Sequence, residues 1–149
     1  MSTLKTLKKS ASSKKVKTVH KLSEDAATLL QRIVRLKAAD ENGYCNCVTC
    51  GKNGHFTEMQ GGHYIERSKS STKLLEENIH PQCAYCNKYG MLKTSTVLKY
   101  RDYMIEMYGL DAVLEIENLS KVNMKWSRPA LIDLIKELKA QMKELEDLC

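Results

Sequence analysis

The spacing of apolar residues predicts three long amphipathic helices in this chain. The first begins at Ser23, a serine N-cap with two acids in its first turn, and ends near 40–43, where Asn and Gly favour a turn. The second covers about 96–108 and closes on Gly109. Pro129 takes the N1 position of the third. The positions that repeat at i, i+3 and i+4 in the first two helices are Ala26, Leu29, Leu30, Ile33, Val34 and Leu36, and Val97, Tyr100, Met104, Met107 and Tyr108.

The last part of the chain predicts a short helix and then a heptad-patterned one. Asp111 is expected to cap the short helix, which ends near Asn118. In the final helix the apolar residues are spaced 4, 3, 4 and 3 positions apart, an a/d seam of about two heptads: Leu131, Ile135, Leu138, Met142 and Leu145. This seam packs either on the chain's own domain or on a second copy.

The region between the first two helices lacks helical periodicity. From Tyr44 to about Gly62 it is rich in Gly, Cys and polar residues, which predicts a zinc knuckle, a loop and short strands. Residues 69–71 are expected to form a loop or turn and 73–75 a short strand. We therefore expect an α+β fold with a small zinc-stabilised core flanked by helices.

Charge is distributed unevenly along the 149 residues, whose formal net charge is +6. Seven lysines precede residue 22 with no acid among them, and the other 17 basic residues face 18 acidic ones. We therefore expect residues 1–22 to form a disordered basic tail. Such a tail either adds salt-dependent affinity for a polyanion or only aids solubility.

Hydropathy excludes a membrane protein, because no apolar run approaches the ~18 to 20 residues that cross a bilayer. The first twenty residues also lack the apolar segment of a secretory signal. A cytoplasmic protein is the default expectation. In that reducing compartment clustered cysteines are more often metal ligands than disulfides.

Four cysteines have the spacing C-x2-C-x32-C-x2-C, namely Cys47, Cys50, Cys83 and Cys86. Two residues between cysteines let both thiolates reach one ion, so two such pairs complete the tetrahedral four-thiolate site that Zn²⁺ prefers. A closed site of this kind is structural. The alternative is a coincidental spacing of buried cysteines. Cys45 could replace Cys47 with a poorer spacing, and Cys149 is expected to be a free thiol or a cross-link between chains.

Chemistry would need a second metal site beside the zinc, and the residues between and after the cysteine pairs supply candidates. A neutral histidine such as His63 is suited to deprotonating water. The carbonyl oxygen of Asn87 is a fitting ligand for Mg²⁺. Together they would hydrolyse a phosphodiester with one metal ion. Taken singly, each of these residues is as well explained by a surface or capping role.

Three motifs carry a family resemblance: CVTCG, GGHYIERS and EENIHPQCAYCN. They resemble the phage recombination protein NinG (Rap) family and, more broadly, the HNH or endonuclease VII group of ββα-metal nucleases, over about Cys45 to Glu117. The resemblance implies a ββα-metal, treble-clef-like nuclease domain over 23–120, with the C-terminal helix in 121–149. It also implies Mg²⁺- or Mn²⁺-dependent cleavage of branched DNA such as Holliday junctions and D-loops, in the cytoplasm of a phage host.

Site roles follow from the same resemblance. His63 matches the general base, Asn78 the residue that orients it, and Asn87 the ligand of the catalytic metal. His80 lies in the same motif, with its role open between orienting and metal binding. Gly62 departs from the pattern, because many relatives have a metal-binding Asp or His before the base. Glu66, Glu76, Glu77 or His80 would have to substitute.

Two further functions remain open from the sequence, a non-catalytic zinc-folded DNA-binding protein of phage recombination or replication, and a protein-interaction adaptor. Under the nuclease hypothesis a homodimer through the C-terminal helix would present two sites to two symmetric strands. The basic residues expected to contact DNA are Lys14, Lys15, Lys17, Arg67, Lys69 and Lys73.

Overall fold

The computed structural model describes residues 15–148, which contain six α-helices and four short strands. Lys14 and Cys149, about which the sequence made predictions, lie outside these residues, as does most of the predicted basic tail. The helices are α1 (Val19–Ala38), α2 (Ser70–Lys73), α3 (Ala84–Lys88), α4 (Thr94–Tyr108), α5 (Leu110–Leu119) and α6 (Arg128–Asp147). The strands are β1 (Tyr44–Asn46), β2 (Asn53–His55), β3 (Gln60–His63) and β4 (Ile79–Gln82). The predicted α+β class is confirmed.

Helix α1 begins earlier than predicted. Its N-cap is Thr18, whose hydroxyl accepts a hydrogen bond from the Lys21 amide, and not Ser23. Leu22 is buried on the same face as Ala26, which explains the extra turn. The predicted boundary of the basic tail at residue 22 was therefore wrong, because 19–22 are helical.

Helix α6 packs against α1 of the same chain. Leu138 is buried there, and the partly buried residues around it include Ile135, Met142 and Leu145 of the predicted heptad seam. Arg32 of α1 also pairs with Glu146 of α6 at 3.1 Å. The seam is thus covered within one chain, so a homodimer would have to use other surfaces of α6.

The four strands form two separate antiparallel hairpins. In the first, β1 pairs with β2, with Cys45 opposite Gly54. In the second, β3 pairs with β4, with His63 opposite Ile79 and Gly62 opposite His80. Helix α3 follows β4 directly.

Gly61 lets the second hairpin lie directly on α1. A Cβ at this glycine would come within 2.7 Å of the Gln31 backbone. This close approach places the end of β3 beside the helix.

Helices α4 and α5 pack on the far side of this hairpin, with Tyr64, Tyr100, Met104 and Val113 in a shared core. Gly109, at a φ of +88°, ends α4 as predicted and is also the N-cap of α5. Asp111 therefore lies in the first turn of α5, and its predicted capping role was wrong.

Two predicted features between β3 and β4 also differ. Residues Ser70–Lys73 form the short helix α2 where a loop was expected, and the strand predicted over 73–75 is absent from the described structure. Within 15–148, no helix combines the length and apolarity that crossing a membrane requires.

Candidate active site

The four predicted cysteines converge on one point between the two hairpins. Their Sγ atoms lie within 4.8 Å of one another, and Cys50 Sγ is 3.7 Å from Cys83 Sγ. A tetrahedral site with Zn–S bonds of about 2.3 Å places its sulfurs about 3.8 Å apart, so the donor set fits a zinc ion. Cys47 and Cys50 lie in a tight turn after β1, whereas Cys83 is the N-cap of α3. A metal ion bound here would join the first hairpin to α3.

The pKa values of two thiols in the cluster are shifted in opposite directions. Burial raises the pKa of the Cys47 thiol, but hydrogen bonds from the Thr49 hydroxyl and from nearby backbone amides outweigh it and bring the pKa to about 6. Burial raises the pKa of Cys86 to about 12, helped by the neighbouring thiols of Cys83 and Cys50. A divalent ion would favour the deprotonated form of all four. Cys45 is buried nearby but lies outside the group of four, so Cys47 and not Cys45 is the candidate ligand.

A chain of hydrogen bonds links this cluster to β4. Gln82 Nε2 donates to Thr49 Oγ1 at 3.3 Å, and Thr49 Oγ1 lies 3.3 Å from Cys47 Sγ. Because the hydroxyl accepts from Gln82, its own proton is directed to the thiolate. The Gln82 side chain is fully buried and fills the space beside Gly62, where any Cβ would overlap it.

His63 and Asn87 line the same cleft, as the predicted chemistry requires. The cleft has a volume of about 690 Å³ and is bounded by the end of β3, by α3 and by Gln31 and Arg35 of α1. Gln60 and Glu66 also line it. The hairpin and the helix that hold His63 and Asn87 meet at the four-cysteine cluster, so that cluster fixes their relative positions.

His63 is buried with one ring nitrogen bound and the other available. Nε2 lies 2.8 Å from the carbonyl oxygen of Lys73. A carbonyl only accepts, so Nε2 carries the proton and Nδ1 carries the lone pair. Burial lowers the pKa of His63, and the hydrogen bond that His63 donates to the Lys73 carbonyl opposes this only in part. The imidazole is therefore neutral at pH 7, the state in which it accepts a proton.

Asn78 holds the segment to which His63 is bound. Its Oδ1 accepts from the Ile65 amide at 2.8 Å, and its Nδ2 donates to the carbonyls of Ile65 and Thr72 at 3.0 and 3.1 Å. Thr72 directly precedes Lys73, whose carbonyl accepts from His63. Asn78 is fully buried and acts on His63 through the backbone, without touching the ring.

The structure does not bring His80 to the cleft. Its Nδ1 lies 3.1 Å from the Tyr100 hydroxyl and its Nε2 2.8 Å from the Tyr108 hydroxyl. His80 pairs with Gly62 across the hairpin and so faces the side opposite His63. Burial lowers its pKa to about 4. The predicted catalytic or metal-binding role of His80 is corrected to a packing role, because both ring nitrogens are engaged.

Asn87 retains a carbonyl oxygen for a ligand, because its Nδ2 donates to Gln60 Oε1 at 2.7 Å. Of the acids considered as substitutes at the Gly62 position, only Glu66 lines the cleft. Glu76 pairs with Lys37 on another surface, and Glu77 is exposed outside the cleft. The structure thus reduces the acidic candidates to one.

The basic residues predicted to contact DNA are mostly paired within the protein. Glu24 binds both Arg67 and Lys73, and the Lys73 side chain is only 11% exposed. The Lys73 ammonium group is therefore directed to Glu24, and its contact with DNA stays a prediction. Lys17 pairs with Asp25 at 2.8 Å and Lys69 lies 4.0 Å from Glu66, whereas Lys15 is exposed.

Comparison with known proteins decides the family. The model of the family described as Bacteriophage Lambda NinG protein matches residues 4–147. The chain belongs to the NinG family. A NinG relative, "Protein ninG" of Salmonella phage P22, is 32% identical over 104 residues, which are 68% of this chain and 48% of that protein. The chain thus spans about half the length of this curated NinG relative. No solved structure shows a significant match.

Sequence reasoning missed two residues of this candidate site in the NinG-family chain. Arg35 of α1 lines the cleft and donates through Nη1 to the carbonyls of Phe56 and Met59 at 2.9 and 2.8 Å. No role was assigned to Arg35 from the sequence. Thr49, between the first two cysteines, carried a signal, because a hydroxyl inside a C-x2-C turn is close to both thiolates.

Proposed function

We propose that this protein is a Mg²⁺- or Mn²⁺-dependent endonuclease that cuts branched DNA, such as Holliday junctions and D-loops. The observation that carries the proposal is the shared cleft of His63 and Asn87 above the four-cysteine cluster. The order hairpin β3–β4 and then α3 agrees with the ββα-metal nucleases that the motifs resemble. Membership of the NinG family supports a role in phage recombination.

In this mechanism His63 is the general base. Its Nδ1 takes a proton from a water molecule in the cleft, while the other proton stays on Nε2, hydrogen-bonded to the Lys73 carbonyl. The hydroxide attacks the phosphorus, and the bond to the leaving oxygen breaks. Burial of His63 keeps the ring neutral before this transfer, and the hydrogen bond to Lys73 stabilises the cation formed by it.

The cleft has donors that fit a hard divalent cation. Mg²⁺ prefers oxygen ligands and is held by one or two carboxylates with several waters. The oxygens available in the cleft are Asn87 Oδ1, the Glu66 carboxylate and Gln60 Oε1. Asn87 and Glu66 would hold the ion, with Gln60 orienting the Asn87 amide. When bound, the ion supplies positive charge to the scissile phosphate and the leaving oxygen.

The test is a cleavage assay with Mg²⁺ or Mn²⁺ on a four-way junction and on linear duplex of the same sequence. The wild type should cut the junction in preference to the duplex. His63→Ala should lose at least about 100-fold in rate, as expected for a general base, and keep its zinc and its DNA affinity. His20→Ala is the matched control, because His20 is exposed and lies outside the cleft. Equal cutting by His63→Ala would disprove the mechanism.

The second candidate is a zinc-folded DNA-binding protein without catalysis, and the Gly62 position favours it. Glycine offers no metal ligand there, and Gln82 fills the space that a ligand would need. This alternative predicts salt-dependent DNA binding with no strand breaks under either metal. The same assay, run beside a binding titration, separates the two.

A homodimer through α6 is part of the nuclease proposal. Since the heptad seam packs on α1, the contact would have to involve exposed residues of α6 such as Ile132, which is 49% exposed. Sedimentation velocity should then show a dimer for the wild type and a monomer for Ile132→Glu. A wild-type monomer across the concentration range would rule the dimer out.

A further inference from the structure

Two tyrosines of the α3 region have their rings in solvent. Tyr85 is 58% exposed and Tyr89 51% exposed, and their ring centroids lie 5.9 Å apart. Between them Cys86 faces inward to the four-cysteine cluster. The four-cysteine cluster therefore holds the backbone that carries the two rings, while the ring faces are open to solvent.

Lysines accompany both rings. Lys88 Nζ lies 5.3 Å from the Tyr89 ring centroid, and Lys93 Nζ lies 5.6 Å from that of Tyr85 and donates to its hydroxyl at 3.1 Å. No Asp or Glu occurs in the sequence between Glu77 and Asp102. Among the described residues, no carboxylate forms a salt bridge with either lysine. The positive charge of this surface is thus not neutralised by the protein itself.

We propose that Tyr85 and Tyr89, with Lys88 and Lys93, form a stacking surface for the unpaired bases of single-stranded DNA. Aromatic rings beside lysines suit this partner, because every base has a face that stacks and every nucleotide brings a phosphate. The occupant follows from the proposed function, since a D-loop contains a displaced single strand. The inference therefore rests on the proposed DNA substrate and adds a contact with the strand next to the cut.

The position on α3 connects this surface with the cleft. At about 100° per residue, Asn87 lies two residues and so about 200° around the helix from each tyrosine, which is nearly the opposite side. Asn87 faces the cleft, so the tyrosines are on the other flank of α3. A strand whose phosphate lies in the cleft can cross α3 at Lys88 and stack its next bases on the tyrosines. Charge favours DNA over a protein partner, although Leu92 is also exposed nearby.

The experiment compares two fluorescent oligonucleotides of equal length, one of thymidines and one of abasic sites, by anisotropy. Wild type should bind the thymidine strand more tightly. The double variant Tyr85→Ala/Tyr89→Ala should lose about 10-fold in affinity per tyrosine for that strand and little for the abasic one. Tyr85→Phe/Tyr89→Phe should keep the preference, since stacking needs only the ring. Tyr44→Ala, at another tyrosine that is 44% exposed, is the matched control.

Three results would overturn the inference. The first is a wild type that binds the thymidine and abasic strands equally well. The second is a double alanine variant whose affinity for the thymidine strand is unchanged, and the third is a double alanine variant that loses the same affinity for both strands. Equal losses would mean an electrostatic or folding effect, which zinc content and a circular dichroism spectrum would identify. Capture of a protein through this surface, with no base preference, would also count against it.

Failure of the proposed function gives a different pattern. If wild type never cuts a junction but prefers bases through its tyrosines, the stacking surface stands and the nuclease proposal falls. His63→Ala should keep the full base preference in either case, because His63 is not part of this surface.

Discussion

His63 Nε2 donates a hydrogen bond to the main-chain carbonyl of Lys73, at 2.8 Å. The partner is a backbone group at the end of α2, so its position depends on how the segment between β3 and β4 is folded. Asn78 sets that fold by bonding the carbonyl of the preceding residue, Thr72. The orientation of His63 therefore depends on a side chain that does not touch it.

Cleavage should persist to lower pH than an ordinary histidine base allows. Burial lowers the pKa of His63, and catalysis needs its neutral form, so activity is lost only as pH falls through that lowered pKa. The midpoint of the acid limb of the rate should thus lie below the usual value of about 6.5. Single-turnover rates across a pH series will measure it. A midpoint above 6.5 would contradict the lowering of the His63 pKa by burial.

Asn78→Ala should impair stability and cleavage together. It leaves the amide of Ile65 and the carbonyls of Ile65 and Thr72 without their partners, at a cost of about 3 kcal/mol in the free energy of unfolding. Urea denaturation measures the loss. Under conditions where the variant is folded, its cleavage rate should still be reduced, because the Lys73 carbonyl is no longer held. Asn118→Ala, at an exposed asparagine, should change neither quantity.

Thr49→Val should weaken zinc binding. Loss of the hydroxyl removes a hydrogen bond to Cys47 and raises the pKa of that thiol from about 6, so protons compete better with the metal. The expected loss in zinc affinity is about 10-fold, measured by competition with a chromogenic chelator at pH 7. The difference from wild type should shrink as pH rises above the thiol pKa of the variant. A loss that is independent of pH would indicate a packing effect instead.

Gly62→Ala should destabilise the protein by about 2 kcal/mol, because its methyl group would overlap Gln82. Combining it with Gln82→Ala removes the overlap, so the double variant should lose less than the sum of the two single changes. Thermal or urea unfolding of the four proteins in this cycle measures the coupling. Strict additivity would show that the two positions do not meet.

The sequence predicted those parts of the site that depend on local spacing. The cysteine pairs lie in tight turns, so their spacing alone indicated one metal ion, and Asn87 directly follows the last of them. Helix α4 ended at Gly109 as predicted, because the φ of +88° there favours glycine. The sequence also contained a signal for the earlier start of α1, because Leu22 and Ala26 share a helical face. The lysines around Leu22 instead indicated a disordered tail.

What the sequence could not provide was strand register and long-range pairing. His63 and His80 face opposite sides only because His80 pairs with Gly62, and a slip of one residue would reverse this. The sequence predicted that Lys73 contacts DNA. In the fold its ammonium group lies beside Glu24, which is 49 residues away in sequence. Likewise, the sequence offered Glu66, Glu76 and Glu77 as acidic metal ligands, and only the fold showed that Glu66 is the one of these three that lines the cleft.

The overlap between Gly62 and Gln82 has an evolutionary consequence. An acid or histidine gained by one substitution at position 62, directly before His63, would overlap Gln82 unless the Gln82 side chain moved. A joint change of both positions, or a change of position 82 to a smaller residue first, avoids this overlap. Across NinG sequences, a residue larger than glycine at position 62 should therefore occur only with a smaller residue at position 82.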